Sequence, residues 1–195
     1  GIYPRGHNPA CWIYTDKHYG HGYLNVTGAI KKSCNYFFYE LGYRMGIDPV
    51  IKYAKAYGLG IKTGIELSGE AEGIVDLKKQ CEDLYGQQWQ LGDTLSAVIG
   101  QSYNDYTPIQ IARYACMLAN GGKSVDVTLI KSITDADGNK VSKEEYEKKV
   151  NEKLGLNDIP EIEDLNIKKE NWDAILKGMK GVTSEAGGTA YYVFS

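Results

Sequence analysis

The chain has 195 residues, 43% of them apolar and 24% charged, with a formal net charge of −3. That length suits one domain with a sizeable core, or a large part of a bigger one. The absence of a basic excess argues against a nucleic-acid partner, and no apolar run approaches the roughly 18 residues of a membrane span.

Residues 1–22 read as a loop with no clear period, and all three histidines (His7, His18, His21) fall there together with Cys11 and Asp16. From Asn25 the spacing turns helical: Val26, Ile30, Cys34, Phe37, Leu41 and Met45 recur every three or four residues. Asn25-Val26-Thr27 matches a glycosylation acceptor but reads better as a helix start. Asp48-Pro49 opens another helix that Gly58 closes. Thr107-Pro108-Ile109-Gln110 combines a capping box with proline at the first helical position, and Asn120-Gly121-Gly122 ends the helix that follows. The stretch "VTLIKSITDADGNKV" predicts a β-hairpin around Asp137-Gly138. Ser142 with Glu145 caps a charged, solvated helix, and Trp172, Ile175, Leu176 and Met179 mark one side of an amphipathic one. The terminal "GGTAYYVFS" predicts a β-strand. Helices thus outnumber strands, which suggests a helical lobe beside a sheet, an α/β (α+β) arrangement.

Sixteen tyrosines against three phenylalanines fit a wet cleft or a polar-faced core. The four cysteines are far apart and read as buried free thiols, which leaves the redox compartment open.

Ser33-Cys34-Asn35 interrupts the first helical pattern with two polar side chains. On a continuous helix Ser33 and Asn35 would point about 200° apart. If the chain breaks here, they project to one side while Cys34 turns inward. A hydroxyl beside a carboxamide suits acyl transfer: the first can relay a proton to a leaving amine, the second can donate to and accept from a peptide bond. A polar helix face is the plainer account of so short a motif. Lys62-Thr63-Gly64 matches one wall of a penicillin-recognising serine enzyme, yet it lies between a helix end and the turn-rich "LSGEAEG". No serine in the chain is followed three residues later by lysine, so the nucleophile motif S-x-x-K is absent from these 195 residues.

Four blocks occur in one order: "HGYLNVTGAIKKSCNYFFYELGYRMGI", "YGLGIKTGIELSGEAEG", "WQLGDTLSAVIGQSYNDYTPIQIARYACMLANGG" and "GMKGVTSEAGGTA". Together they resemble the transpeptidase domain of class B penicillin-binding proteins, and the resemblance covers essentially the whole chain. "HG-x-L-N-V" and "I-G-Q" followed by "T-P-x-Q-x-A" are most similar to the elongation type. The resemblance implies the penicillin-binding protein and serine β-lactamase fold. It also implies a peptidoglycan D,D-transpeptidase that cross-links stem peptides through an acyl-serine, is acylated by β-lactam antibiotics, and uses no cofactor. Ser33 would join the proton relay, and Asn35 would hold the substrate amide and help fix the catalytic lysine.

By the same resemblance, Lys62-Thr63-Gly64 occupies a non-catalytic segment. The nucleophile helix would precede Gly1, and the catalytic K-T-G strand would follow Ser195. The 195 residues would then be a partial transpeptidase domain, inert and poorly stable alone. In the full-length protein they would lie on the extracytoplasmic face of the bacterial membrane, with cell-wall elongation proteins as partners. The family usually has glycine where Ser102 stands. A serine β-lactamase relative and a non-enzymatic penicillin-sensing or scaffold module are the competing readings.

One further group can be read from residue type alone. Cys11, His21 and Cys34, with Asp16 as a fourth candidate, are zinc ligand types, and Cys34 could fold back toward His21. Their spacing fits no standard zinc pattern, so chance enrichment of a polar loop is the competing account. A metal there would brace the S-x-N turn and would not activate water.

Overall fold

The computed structural model describes residues 1–194. Ten helices lie among them: α1 (Trp12–Lys17), α2 (Val26–Lys31), α3 (Asn35–Met45), α4 (Asp48–Ala56), α5 (Leu77–Tyr85), α6 (Leu91–Ala97), α7 (Pro108–Ala119), α8 (Lys143–Leu154), α9 (Lys169–Ser184) and α10 (Tyr191–Phe194). Two compact units form. One comprises Gly1–Tyr53, Asp76–Asn104 and the chain from Asn166 onward; the other comprises Ala54–Val75 and Asp105–Leu165.

In the first unit, α2 starts where Asn25 Oδ1 accepts the Gly28 N–H at 2.9 Å, the capping role that its sequence suggested. The helix stops at Ser33, whose φ of 47° is left-handed. The Cys34 N–H reaches back to the Ala29 carbonyl at 2.9 Å, closing the turn as a left-handed helix end does. Cys34 is then extended (φ −78°, ψ 98°), and α3 begins afresh at Asn35.

This break re-phases the apolar stripe. Tyr39 and Gly42 become the buried residues of α3, while Leu41 and Met45 are more than a third exposed. Gly42 lets α3 approach α6 so closely that a Cβ would lie 2.7 Å from Val98 Cγ1. Two apolar clusters follow. Tyr3, Tyr39 and Leu95 form one; Cys11, Ile13, Ala29 and Cys34 form the other, with Leu24, Phe37 and Phe38 against it. The tyrosine excess is used as expected of amphipathic rings. Buried Tyr3 stacks on Tyr36 and Tyr39 and donates its hydroxyl to Glu40 Oε2 at 2.8 Å. Its pKa is pushed up to about 12, by burial first and by Glu40 second.

Helix α2 also crosses α9. The Thr27 hydroxyl donates to the Ala174 carbonyl at 2.9 Å, and a Cβ on Gly178 would lie 2.9 Å from Ile30 Cβ. A larger residue at 178 would therefore separate the helices.

Two expectations about strands need correction. The hairpin around Asp137-Gly138 forms only one antiparallel bridge, Thr134 with Lys140. Asp135 carries the turn: its carboxylate accepts the Asp137 and Asn139 N–H groups at 3.0 and 2.8 Å. The "GGTAYYVF" stretch is not a strand but the helical turn α10; Ser195, the last residue of that prediction, lies outside the described residues. Aromatic and β-branched residues favour strands only where a neighbouring strand takes their backbone hydrogen bonds. No such neighbour lies beside 191–194 among the described residues, and the backbone bonds locally instead, Tyr191 N–H to the Gly188 carbonyl and Val193 N–H to that of Ala190. What was expected as part of a sheet is thus isolated bridging among the described residues.

The second unit is organised by Gln110, which is wholly buried. Its Nε2 donates to the Ile61 and Glu72 carbonyls at 3.0 and 2.9 Å. Its Oε1 accepts from the Thr107 and Gly60 N–H groups at 3.3 and 3.4 Å, completing the predicted capping box of α7. One carboxamide therefore ties the 60–72 loop to the helix start. Replacing Gln110 by alanine strands buried carbonyls and amides, each costing roughly 1–3 kcal/mol. The Gln110→Ala protein should lose about 3 kcal/mol of stability in urea unfolding; a loss below about 1 kcal/mol would mean that the loop finds other partners.

Candidate functional site

The break between α2 and α3 gives Ser33, Cys34 and Asn35 different surroundings. Ser33 is exposed, Asn35 is half-buried and Cys34 is buried, so the two polar side chains leave the core side to the thiol. The alternative of a continuous polar helix face is excluded by the left-handed Ser33. A non-glycine residue in that conformation costs about 1–2 kcal/mol, and such strain is tolerated where neighbours over-determine it.

Those neighbours can be named. The last carbonyls of α2 would be unpartnered at a free helix end; here the Trp12 indole N–H donates to the Lys32 carbonyl at 3.1 Å and the Thr189 N–H to that of Lys31 at 3.3 Å. Lys31 Nζ pairs with Glu185 Oε2 at 2.7 Å. The Ser33 hydroxyl lies 3.0 Å from the Thr189 hydroxyl. Asn35 lies one helical turn before buried Tyr39, whose own pKa is raised chiefly by burial. Thr189 was not singled out by its sequence; the Gly187-Gly188 pair before it is the only local hint that the backbone turns sharply there.

Lys62-Thr63-Gly64 serves structure. Glu70 accepts the Thr63 N–H and hydroxyl, both at 2.7 Å, and the Gly64 N–H at 3.2 Å. The triplet lies on no strand and belongs to the second unit, whereas Ser33 and Asn35 belong to the first. A backbone knotted around a carboxylate presents no edge to a substrate. Ser102, where the family usually has glycine, has a φ of 70°; the backbone keeps a shape that glycine would adopt without strain.

The group proposed from residue type comes together in part. Cys11 Sγ, His21 and Cys34 Sγ lie within 4.8 Å of one another, with Cys11 Sγ 3.7 Å from His21 Nδ1. Tetrahedral zinc with bonds of about 2.0–2.3 Å sets its ligands roughly 3.3–3.8 Å apart, so small side-chain rotations would close the set. Burial, with Lys32 and the N-terminus next, lowers the His21 pKa and so favours the neutral imidazole a metal takes. Burial raises that of Cys34, so metal binding there would displace a proton. Asp16 stays out of this cluster; it is exposed and paired with Lys17 at 3.3 Å.

Comparison with known proteins gives the family. A family model described as the penicillin-binding protein transpeptidase domain matches residues 2–193. The chain is 33% identical over 197 residues to the peptidoglycan D,D-transpeptidase MrdA of Haemophilus influenzae, covering 96% of this chain and 28% of that protein. It is 32% identical to MrdA of Escherichia coli over 179 residues, covering 92% of this chain and 26% of that one. Among solved structures, Pseudomonas aeruginosa PBP2 superposes with a TM-score of 0.76 at 29% identity, over 99% of this chain and 38% of that one. Helicobacter pylori PBP2 gives 0.68, also at 29% identity, over 94% and 30%. The chain thus spans little more than a quarter of the length of the MrdA relatives. With a family model that matches residues 2–193, this chain belongs to the penicillin-binding protein transpeptidase domain family.

Proposed function

We propose that this chain supplies the S-x-N wall of a peptidoglycan D,D-transpeptidase of the elongation type. The nucleophile helix with S-x-x-K would stand before it in the full-length protein, and the K-T-G strand after it. The observation that carries this reading is the turn itself, which leaves Ser33 exposed and Asn35 half-buried while Cys34 is buried.

The chemistry follows from the two groups. A serine outside this chain attacks the D-Ala-D-Ala end of a stem peptide and expels D-alanine, whose nitrogen needs a proton. Ser33 passes its hydroxyl proton to that nitrogen while accepting one from the neighbouring base, and so ends unchanged. Asn35 donates its N–H to the substrate carbonyl and accepts with its oxygen, which fixes the peptide bond for attack. The acyl-serine is then transferred to an amine of a second strand.

The expected location is the extracytoplasmic face of the bacterial membrane, with the anchor in another part of the protein; among the described residues no helix is long and apolar enough to cross a membrane. Partners in cell-wall elongation are consistent with a solved complex of Helicobacter pylori PBP2 with MreC.

Labelling the full-length protein with a fluorescent penicillin tests this reading. A covalent adduct that persists for many minutes is the expected result. Release within seconds would identify a β-lactamase instead, and no adduct at all would favour a sensing or scaffold module.

A second reading concerns Cys11, His21 and Cys34, whose donor atoms converge within 4.8 Å. They would hold zinc, with the fourth position taken by water or by another part of the protein. Because Cys34 lies between Ser33 and Asn35, the ion would brace the turn that carries both.

A further inference from the structure

We propose that Thr189 is a positioning residue for the Ser33 hydroxyl; the inference rests on the reading of Ser33 as the proton relay. The two hydroxyl oxygens are 3.0 Å apart, within hydrogen-bond distance, although 156 residues separate them in the chain. Both side chains are exposed.

Thr189 is held there by its backbone. Its N–H donates to the Lys31 carbonyl at 3.3 Å, while Glu185, four residues before it, pairs with Lys31 Nζ at 2.7 Å. Between them Gly188 is pressed against the end of α9, where a Cβ would run into the carbonyl oxygens of Gly181 and Val182. The loop therefore cannot move far without leaving α9. The Ser33 backbone is equally constrained by its left-handed turn. Two fixed backbones leave the Ser33 side-chain rotor as the free variable.

An exposed serine samples three staggered wells, and a relay works from only one of them. A hydroxyl has one proton and two acceptor lone pairs. During relay the Ser33 O–H bond breaks as the N–H bond forms on the leaving amine, and one lone pair of Ser33 takes the proton that arrives from the base. The second lone pair is left for the Thr189 O–H. Thr189 donating to it selects the productive rotamer and aims the Ser33 proton outward, without itself losing or gaining a proton.

Such a bond between exposed groups adds little to stability, yet loss of it would slow acylation by roughly fivefold to tenfold. The test measures acylation of the full-length protein by a fluorescent penicillin for Thr189→Val, Thr189→Ser, Ser33→Ala and the double variant Ser33→Ala/Thr189→Val. Thr189→Val should label roughly fivefold to tenfold more slowly with a melting temperature near that of the parent, and Thr189→Ser should restore the rate to within about twofold. In the Ser33→Ala background Thr189→Val should have no further effect, because a residue that acts through Ser33 has nothing left to position. Independent, multiplicative losses would instead assign Thr189 a general structural role and overturn the proposal, and the cycle decides this even if Thr189→Val melts lower. Parent-like labelling by Thr189→Val, or slow labelling by Thr189→Ser, would overturn it too. If Ser33→Ala itself labels at the parent rate, the relay reading fails and the Thr189 proposal falls with it. Slow Ser33→Ala beside a fast Thr189→Val would sink the Thr189 proposal alone.

Discussion

Full-length protein carrying Ser33→Ala should be acylated by penicillin two to four orders of magnitude more slowly than the parent, the range typical of a lost general acid–base group. Asn35→Asp should lose a comparable amount for a different reason. Aspartate keeps the shape of asparagine but, when ionised, only accepts hydrogen bonds; it would lose the donor to the substrate carbonyl and bring a negative charge beside a developing oxyanion. Neither change should unfold the turn. Ser33 is exposed, and alanine in its left-handed position adds no large strain beyond what serine already carries. Tyr39, one helical turn from Asn35 on α3, offers a built-in control. Tyr39→Phe removes a neighbouring hydroxyl but leaves the carboxamide, so it should cost less than about tenfold. Should Tyr39→Phe slow acylation as much as Asn35→Asp, the role of Asn35 would be to pack against α3 and not to hold a substrate. Near-parent rates for both Ser33→Ala and Asn35→Asp would remove the S-x-N assignment altogether.

The second large effect is expected on metal removal. Structural zinc sites supply folding free energy directly, with apparent values of roughly 10–16 kcal/mol in small zinc-finger peptides. In a larger protein with cores of its own the share is smaller, so stripping the metal with a strong chelator should lower the melting temperature by about 5 °C or more. Metal analysis should find about one zinc per chain before treatment. Cys34→Ala should reproduce the lower melting temperature and abolish any further response to chelator, whereas Asp16→Ala, whose side chain is paired with Lys17 away from the cluster, should do neither. Penicillin acylation should slow with the metal removed, because Cys34 is flanked by Ser33 and Asn35. A protein free of zinc whose melting temperature ignores the chelator would leave Cys11 and Cys34 as buried thiols and nothing more.

Much of this was legible from residue order, and the exceptions have physical causes. The capping signals held at Asn25, Thr107 and Ser142 because each is a short-range contact, a side-chain oxygen and an amide two or three residues on. Helices α5 and α6 were not anticipated, nor was α1, within the stretch 1–22 that was expected to be a loop. Their apolar patterns are short, and α6 is fixed by contacts from distant residues, Leu95 lying with Tyr3 and Tyr39. The strand expected at the C-terminal end was misread because β propensity describes fit to a neighbouring strand, and the sequence of one segment does not say whether that neighbour is present.

By itself, then, the sequence determined the family and placed the Ser33-Cys34-Asn35 and Lys62-Thr63-Gly64 triplets and the ligand types at Cys11, His21 and Cys34, since residue identity and local spacing carry those. Tertiary structure decided three further things. It broke the helix at Ser33, which required the left-handed turn and the caps from Trp12 and Thr189 on the last carbonyls of α2. It separated Asp16 from the thiol and imidazole donors. It also brought Thr189 against Ser33 across 156 residues. The Thr189 contacts are long-range: they exist only once α2 and α9 have packed, and no local pattern encodes the packing of segments so far apart in the chain.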